Sequence, residues 1–300
     1  LTGWLQIEFA LLGNETRQAE ELLDSLEALS VTLLDGGDEA LLQPIPGSSP
    51  VWQQTLIRAL FPLDSDPTVI RAYLKDKLNC QNFRSETLED QDWERTWMDN
   101  FNAMHFGEQL WVCPSWQTPP DPNAVNLMLD PGLAFGSGSH ATTALCLKWL
   151  ATNPPQELTV IDYGCGSGVL SLAALKLGAD KVYAVDIDEH ALQATISNAS
   201  KNNLPKSKLL VSLPQQLIDT PVDLLIANIL CGPLLELAPH VAKLIKSGGS
   251  IILSGILEDQ AELIISTYAP WFDLLTLKER NGWVLVHGQK KAEPYKTNVR

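Results

Sequence analysis

The stretch Val160-Ile161-Asp162-Tyr163-Gly164-Cys165-Gly166-Ser167-Gly168-Val169-Leu170 decides the fold. An apolar run of the kind that makes a buried strand passes straight into three alternating glycines, and an apolar helical stretch starts on the last of them. Val182-Tyr183-Ala184-Val185 reads as the next strand and ends on Asp186, 22 residues after Gly164. Glycines let a backbone approach a ligand closely, and a carboxylate ending the second strand can accept hydrogen bonds from both hydroxyls of a ribose. The stretch therefore describes a nucleoside site. Its plainer reading is a tight turn, with Asp186 capping the helix that follows.

Working outward, strands and helices alternate. Helix 168–177 follows the glycine turn, then come strand 182–186, helix 189–202, strands 208–212 and 222–228, helix 234–246, strand 250–255 and helix 258–268. Strands 272–278 and 283–288 close the chain around Glu279-Arg280-Asn281-Gly282, an Asn-Gly hairpin signal. Such alternation predicts an α/β doubly wound, mostly parallel sheet, into which the hairpin sets one antiparallel strand. A Rossmann-like sheet with that strand marks class I methyltransferases rather than dehydrogenases.

The first ninety residues follow another plan. The reading is strand 4–12, amphipathic helix 15–29 with apolar Ala19, Leu22, Leu23, Leu26 and Leu29, and strand 30–34. Gly36-Gly37 then turns the chain into Ala40-Leu41-Leu42. After the Pro/Gly/Ser-rich loop 44–50 come two helical stretches, 51–60 and 67–78, and a strand over 82–88. The order is close to a ferredoxin-like α+β unit, enlarged in its second half. It holds no constellation of catalytic side chains, which points to recognition. Residues 89–104 carry Trp93, Trp97 and Phe101 at four-residue spacing and read as a linker helix with one aromatic face. That face serves either packing or the border of a substrate cleft. The predicted parts are a recognition domain 1–88, the linker 89–104 and a cofactor-binding domain 105–300.

Composition narrows the function classes. A chain of 300 residues, 45% hydrophobic and with nine tryptophans, reads as globular. It shows neither a spanning apolar run nor a basic leader at its start, so a cytoplasmic protein without membrane contact is expected. Five scattered cysteines without a Cys-x-x-Cys pair argue against disulfides and structural zinc, and the five histidines form no cluster. No metal is expected. Of the net charge of −15, residues 1–104 hold 18 acidic and 7 basic side chains. An acidic field repels phosphate backbones and attracts a basic, lysine-rich partner, though acidity also serves solubility.

Which nucleoside is bound follows from spacing. The dinucleotide fingerprint is G-x-G-x-x-G, but Gly164, Gly166 and Gly168 are spaced G-x-G-x-G, and Val169 stands where the third dinucleotide glycine belongs. Asp162, just before the glycines, suits the ammonium of a methionine moiety and would not suit a phosphate. Together these favour S-adenosyl-L-methionine. Cys165 has no adjacent His in the motif and reads as a packing residue. A second glycine-rich loop, Asp130-Pro131-Gly132-Leu133-Ala134-Phe135-Gly136-Ser137-Gly138-Ser139-His140-Ala141-Thr142-Thr143, precedes a helix over 144–150. There Phe135 can lie against adenine or the methionine chain, Thr143 can donate to a carboxylate, and His140 is either a base or a hydrogen-bonded structural residue. The third segment, Asn228-Ile229-Leu230-Cys231-Gly232-Pro233, ends the fourth strand, where Asn228 can accept a hydrogen bond from an amine. Amino methyltransferases often carry Asn-Pro-Pro-Tyr there, and this chain lacks its rigid aromatic part. Asn228 could instead only satisfy the loop backbone.

On these residues, together with Asp92-Trp93-Glu94-Arg95-Thr96-Trp97 and Leu110-Trp111-Val112-Cys113-Pro114-Ser115-Trp116, the chain resembles the ribosomal protein L11 methyltransferase family along its whole length. Family members often have Gly-Thr-Gly where this chain has Gly136-Ser137-Gly138. The resemblance implies cofactor contacts at Thr143, Gly164, Asp186 and Asn228, joined by Asp162, Gly166 and Phe135 from the residue reading. It also implies methylation of lysine side chains and of the N-terminal α-amine of ribosomal protein L11, with the N-terminal domain holding that substrate. Asn228 is the candidate for positioning the amine. No direct nucleic-acid contact is expected and a monomer is favoured. Three other readings remain open from the residues: an RNA methyltransferase, an NAD-dependent oxidoreductase and a non-catalytic docking factor for ribosome assembly.

Overall fold

The structure is a computed structural model in which residues 3–37, 52–89, 102–130, 138–217 and 220–292 are described. Its contacts divide the chain into two compact units, Leu1–Asn100 and Phe101–Arg300.

The first unit contains β1 (Gly3–Leu12), α1 (Thr16–Ser25), β2 (Ser30–Asp35), β3 (Gln54–Pro62), α2 (Pro67–Lys77) and β4 (Gln81–Glu89). All pairings are antiparallel, and the sheet order β2-β3-β1-β4 is that of a ferredoxin-like unit. Alternate residues of β1 (Leu5, Ile7, Phe9, Leu11) and β3 (Ile57, Ala59, Phe61) face Ala19 and Leu23 of α1 and Ile70 and Leu74 of α2, and together they form one core. Asp66 starts α2 by accepting the Thr68 amide at 2.8 Å, with Pro67 at the first helical position. The spacing of residues 51–60 suggests a helix, but Gln54–Pro62 is instead a central strand paired with β1 along its whole length. Leu56 and Leu60 imitate a helical repeat, whereas burial follows Thr55, Ile57, Ala59 and Phe61 at period two. The stretch Ala40-Leu41-Leu42 lies outside the described residues, as does nearly all of the expected linker helix 89–104.

The second unit opens with β5 (Met104–Phe106), β6 (Leu110–Cys113) and β7 (Val125–Met128), a small sheet that the sequence reading did not assign. Then follow α3 (Ala141–Thr152), β8 (Thr159–Tyr163), α4 (Val169–Lys176), β9 (Lys181–Val185), α5 (Glu189–Lys201), β10 (Leu209–Ser212), β11 (Val222–Asn228), α6 (Cys231–Lys243), β12 (Ile245–Leu257), α7 (Ala261–Tyr268), β13 (Phe272–Arg280) and β14 (Trp283–Lys290). The main sheet has the order β10-β9-β8-β11-β12-β14-β13. Strands β10, β9, β8, β11 and β12 pair in parallel, and β14 runs antiparallel between β12 and β13. The hairpin turns on Asn281 and Gly282, both with positive φ (54° and 75°), which matches the twist of the two strands. This is the α/β class I methyltransferase sheet with one antiparallel strand that the sequence predicted.

Both faces of the sheet are covered. Val160, Val182, Leu224, Ile226, Ile252 and Leu285 pack with α3 and α4, while Ile161, Val185, Leu225, Ala227, Leu253 and Val286 pack with α6 and α7. Neighbouring residues on one strand thus enter opposite layers, as the pleat requires. The carboxyl ends of β8, β9 and β11 lie side by side, and there the strand order reverses between β8 and β11. In open α/β sheets that reversal is where ligands bind.

Candidate functional site

The glycine turn leaves β8 at Tyr163 and enters α4 at Val169. Gly164, Gly166 and Gly168 all have positive φ (84°, 54° and 81°), a region that L side chains rarely adopt. The amides of Gly164 and Cys165 both donate to Val185 O, at 2.7 and 3.0 Å, so the turn folds over the end of β9. The Gly166 amide donates to Asp186 Oδ2 at 2.8 Å, and the Asp188 amide donates to Asp186 Oδ1 at 3.1 Å. Asp186 is thereby locked to the turn, and each of its oxygens retains a lone pair for a hydroxyl. Helix α5 supports the turn from below: Thr195 Oγ1 donates to Gly166 O at 3.0 Å and Asn198 Nδ2 donates to Ser167 O at 2.9 Å. Helix α5 is started by Asp188, which accepts the His190 amide, so Asp186 is not its cap.

Asp162 is fully buried on β8. Its Oδ2 accepts from both the amide and the hydroxyl of Ser171, at 2.9 and 2.7 Å, while its Oδ1 bonds nothing among the described residues. Burial, the largest effect, pushes its carboxyl up to about 6; the Ser171 bonds oppose this and the nearby charge of Asp186 adds to it. A buried carboxylate oxygen without a protein partner, beside a glycine turn, suits a cation or a hydrogen-bond donor. The thiol of Cys165 is buried and raised well above its usual range, first by burial and then by Asp162. It is an inert packing group.

Helix α3 brings the second set of residues. His140 is its N-cap: its Nδ1 lies 2.8 Å from Thr142 Oγ1 and accepts the Thr142 amide at 3.4 Å, with the ring edge-on to Trp283. Thr143, buried in the first turn, accepts a hydrogen bond from Asn228 Nδ2 at 3.2 Å. Two residues 85 positions apart thus meet at the end of β11, and the Asn228 amide is oriented with its Oδ1 left as an acceptor. The glycine turn reaches the same loop, because Ile229 Cγ2 sits where a β-carbon of Gly164 would be. Thr143, Gly164, Gly166, Asp162, Asp186 and Asn228 therefore surround one end of the sheet, while Phe135 lies outside the described residues. Asp130, the last described residue before that segment, is held by the Ser115 amide and hydroxyl and by Lys201 Nζ, which donate to its carboxylate at 2.7, 2.9 and 2.8 Å. Burial works to raise the Asp130 pKa, but the Lys201 and Ser115 bonds outweigh it and hold the carboxyl below its ordinary value.

The sequence reading missed Ile187. It follows Asp186 directly and is 83% exposed, an apolar surface offered at the edge of the turn. The signal was present in Asp186-Ile187-Asp188, where a large aliphatic side chain stands between two carboxylates. It also missed Ser171, Thr195 and Asn198, buried polar residues on otherwise apolar helix faces. Among the described residues no group of three or more His, Cys, Asp and Glu side chains is placed to hold a metal ion.

Over residues 3–291 the chain matches the protein family described as Ribosomal protein L11 methyltransferase (PrmA). It is 48% identical over 291 residues to the ribosomal protein L11 methyltransferase of Nitrosococcus oceani, an alignment covering 96% of this chain and 99% of that one. To the enzyme of the same name from Legionella pneumophila strain Paris it is 48% identical over 286 residues, covering 94% and 98%. Among solved structures, the ribosomal protein L11 methylase from Lactobacillus delbrueckii subsp. bulgaricus aligns with a TM-score of 0.59 at 32% identity, covering 64% of this chain and 100% of that one. A sheet of methyltransferase order and a likeness running almost from end to end lead to one conclusion: this chain belongs to the ribosomal protein L11 methyltransferase family.

Proposed function

We propose that this chain transfers methyl groups from S-adenosyl-L-methionine to lysine side-chain and N-terminal α-amino groups of ribosomal protein L11. The observation that carries the reading is the convergence of the glycine turn with its locked Asp186 and the Thr143–Asn228 pair at one end of the sheet, in a chain of this family. The residues fit the cofactor. The unpartnered Oδ1 of buried Asp162 suits its ammonium, directly or through water. Asp186 would hold the ribose hydroxyls, Ile187 would lie against the adenine, and Gly164 and Gly166 would let the chain pass close to the ligand. The Thr143 hydroxyl accepts from Asn228 and keeps its own proton for a carboxylate. Phe135 is assigned to the adenine or the methionine chain by the same reading.

The bound cofactor supplies a methyl group on an already activated leaving group, so the protein's part is mainly positioning. Asn228 Oδ1 would accept one N–H of the incoming amine and aim its lone pair. The amine must be neutral to attack, and losing water as it docks beside the apolar Leu230, two residues after Asn228, would favour the neutral form. Water takes the proton. His140 Nδ1 is occupied in capping α3 and is assigned no part in proton transfer. The acidic N-terminal domain would hold basic L11, and the same field disfavours bare RNA. The test is a transfer assay with methyl-labelled cofactor and, in parallel, purified L11 and ribosomal RNA. Label in L11 alone supports the reading; label in RNA alone, or in neither, defeats it.

A further inference from the structure

We propose that Ile229 is a positioning residue: its Cγ2 methyl, seated on the backbone of Gly164, sets the Asn228 amide at the methyl-transfer site. The proposal rests on the function argued above and adds a residue to it. Asn228 ends β11 and Cys231 starts α6, so only Ile229 and Leu230 turn the chain from strand to helix. Leu230 is 54% exposed, whereas Ile229 is half-buried and packs against the core that α6 covers.

Two glycines grip Ile229 from opposite sides. A β-carbon on Gly164, which has φ +84°, would collide with Ile229 Cγ2. A β-carbon on Gly255, which has φ +82°, would collide with Ile229 O and lie 2.8 Å from its carbonyl carbon. Gly255 sits where the β12–β14 register shifts between Leu253 and Ile256, a bulge that carries the backbone of β12 up against the loop. The bulge has a second hold on the site. Ser254, fully buried beside it, directs its hydroxyl to Thr142 O and Val284 O, at 3.4 and 3.2 Å, which fixes the start of α3 from which Thr143 reaches Asn228. The Asn228 side chain is thus held through Thr143, and its backbone through Ile229.

The side-chain shape matters. A β-branched residue has one strongly preferred χ1, so its γ-methyl is fixed relative to the backbone. Valine keeps that methyl at the contact with Gly164. Leucine keeps the volume but has no γ2 branch, and alanine keeps neither.

The experiment compares full-length Ile229→Val, Ile229→Leu and Ile229→Ala with the wild type, measuring kcat and KM on L11, cofactor Kd, Tm, and the Asn228 side-chain amide resonances. Ile229→Val is expected within about twofold of wild type in kcat. Ile229→Leu and Ile229→Ala are expected to lose about 10- to 100-fold in kcat, with KM for L11 within about threefold, as a misplaced positioning group would. The Asn228 amide signals should coincide in wild type and Ile229→Val and move in the other two. Equal activity of Ile229→Leu and Ile229→Val would overturn the proposal, as would Asn228 signals unchanged throughout, or losses that vanish at temperatures where every variant is folded. A wild type that transfers no methyl to L11 would instead defeat the function, and the Asn228 signals would still decide the role of Ile229.

Discussion

Asp162 has no solvent exposure, yet one of its oxygens meets no partner among the described residues. Its folded-state pKa of about 6 lies above the ordinary 3.8, so between those values the folded protein keeps a proton that the unfolded chain has released. In the ligand-free protein this group therefore favours folding fully below about pH 4, and that contribution is lost as pH rises through about 6. Binding an ammonium requires the carboxylate, so cofactor affinity changes the opposite way. Calorimetric titration should give a Kd about tenfold weaker at pH 5 than at pH 7, with proton release at the lower pH. Asp162→Asn should abolish that pH dependence and weaken binding by about 10- to 100-fold, the worth of a hydrogen bond to a charged group. A wild-type Kd flat across this range would show that Asp162 does not meet the ammonium. Asn228→Ala should lower kcat on L11 by about 100-fold, more than it weakens cofactor binding, since the amide both orients the acceptor and holds Thr143. Asp162, the glycines and Asp186 were legible in the sequence because they lie within one short strand–turn–helix–strand run. Ile229 was not, because its partner Gly164 stands 65 residues earlier and only the β8–β11 pairing brings them together.

At the scale of elements, helix α3 fixes both Thr143 and the reading of His140. His140→Ala removes the cap and should cost about 1 kcal/mol of stability, whereas His140→Asn should restore it. Both variants should keep kcat near wild type when assayed well below their melting temperatures; loss of most kcat in both would reveal a base. The strand–helix alternation from β8 to β14 was legible because strands such as β8, β9 and β11 are short apolar runs bounded by glycine and polar turn residues. Strand β3 was misread because its exposed-face leucines, Leu56 and Leu60, fall at helical spacing, and only pairing with β1 selects the period-two pattern. Strands β5, β6 and β7 escaped notice for another reason. They are three or four residues long, too short for periodicity to register.

For the whole molecule, charge is the property expected to draw in a basic partner. The acidic excess of residues 1–104 implies that the encounter with a basic protein is driven partly by long-range attraction. Raising ionic strength from about 0.05 M to about 0.5 M should raise KM for L11 severalfold and leave cofactor Kd nearly unchanged, because screening acts on exposed charges. A KM insensitive to salt would place recognition in short-range contacts instead. The central claim is methyl transfer from S-adenosylmethionine to the amines of L11, and tandem mass spectrometry of L11 after incubation with enzyme and cofactor tests it most directly. Methyl groups are expected on lysine Nζ and on the N-terminal nitrogen, and are expected to be absent from a reaction with Asn228→Ala at matched time. An unmodified L11, or methyl groups confined to other atoms, would contradict it.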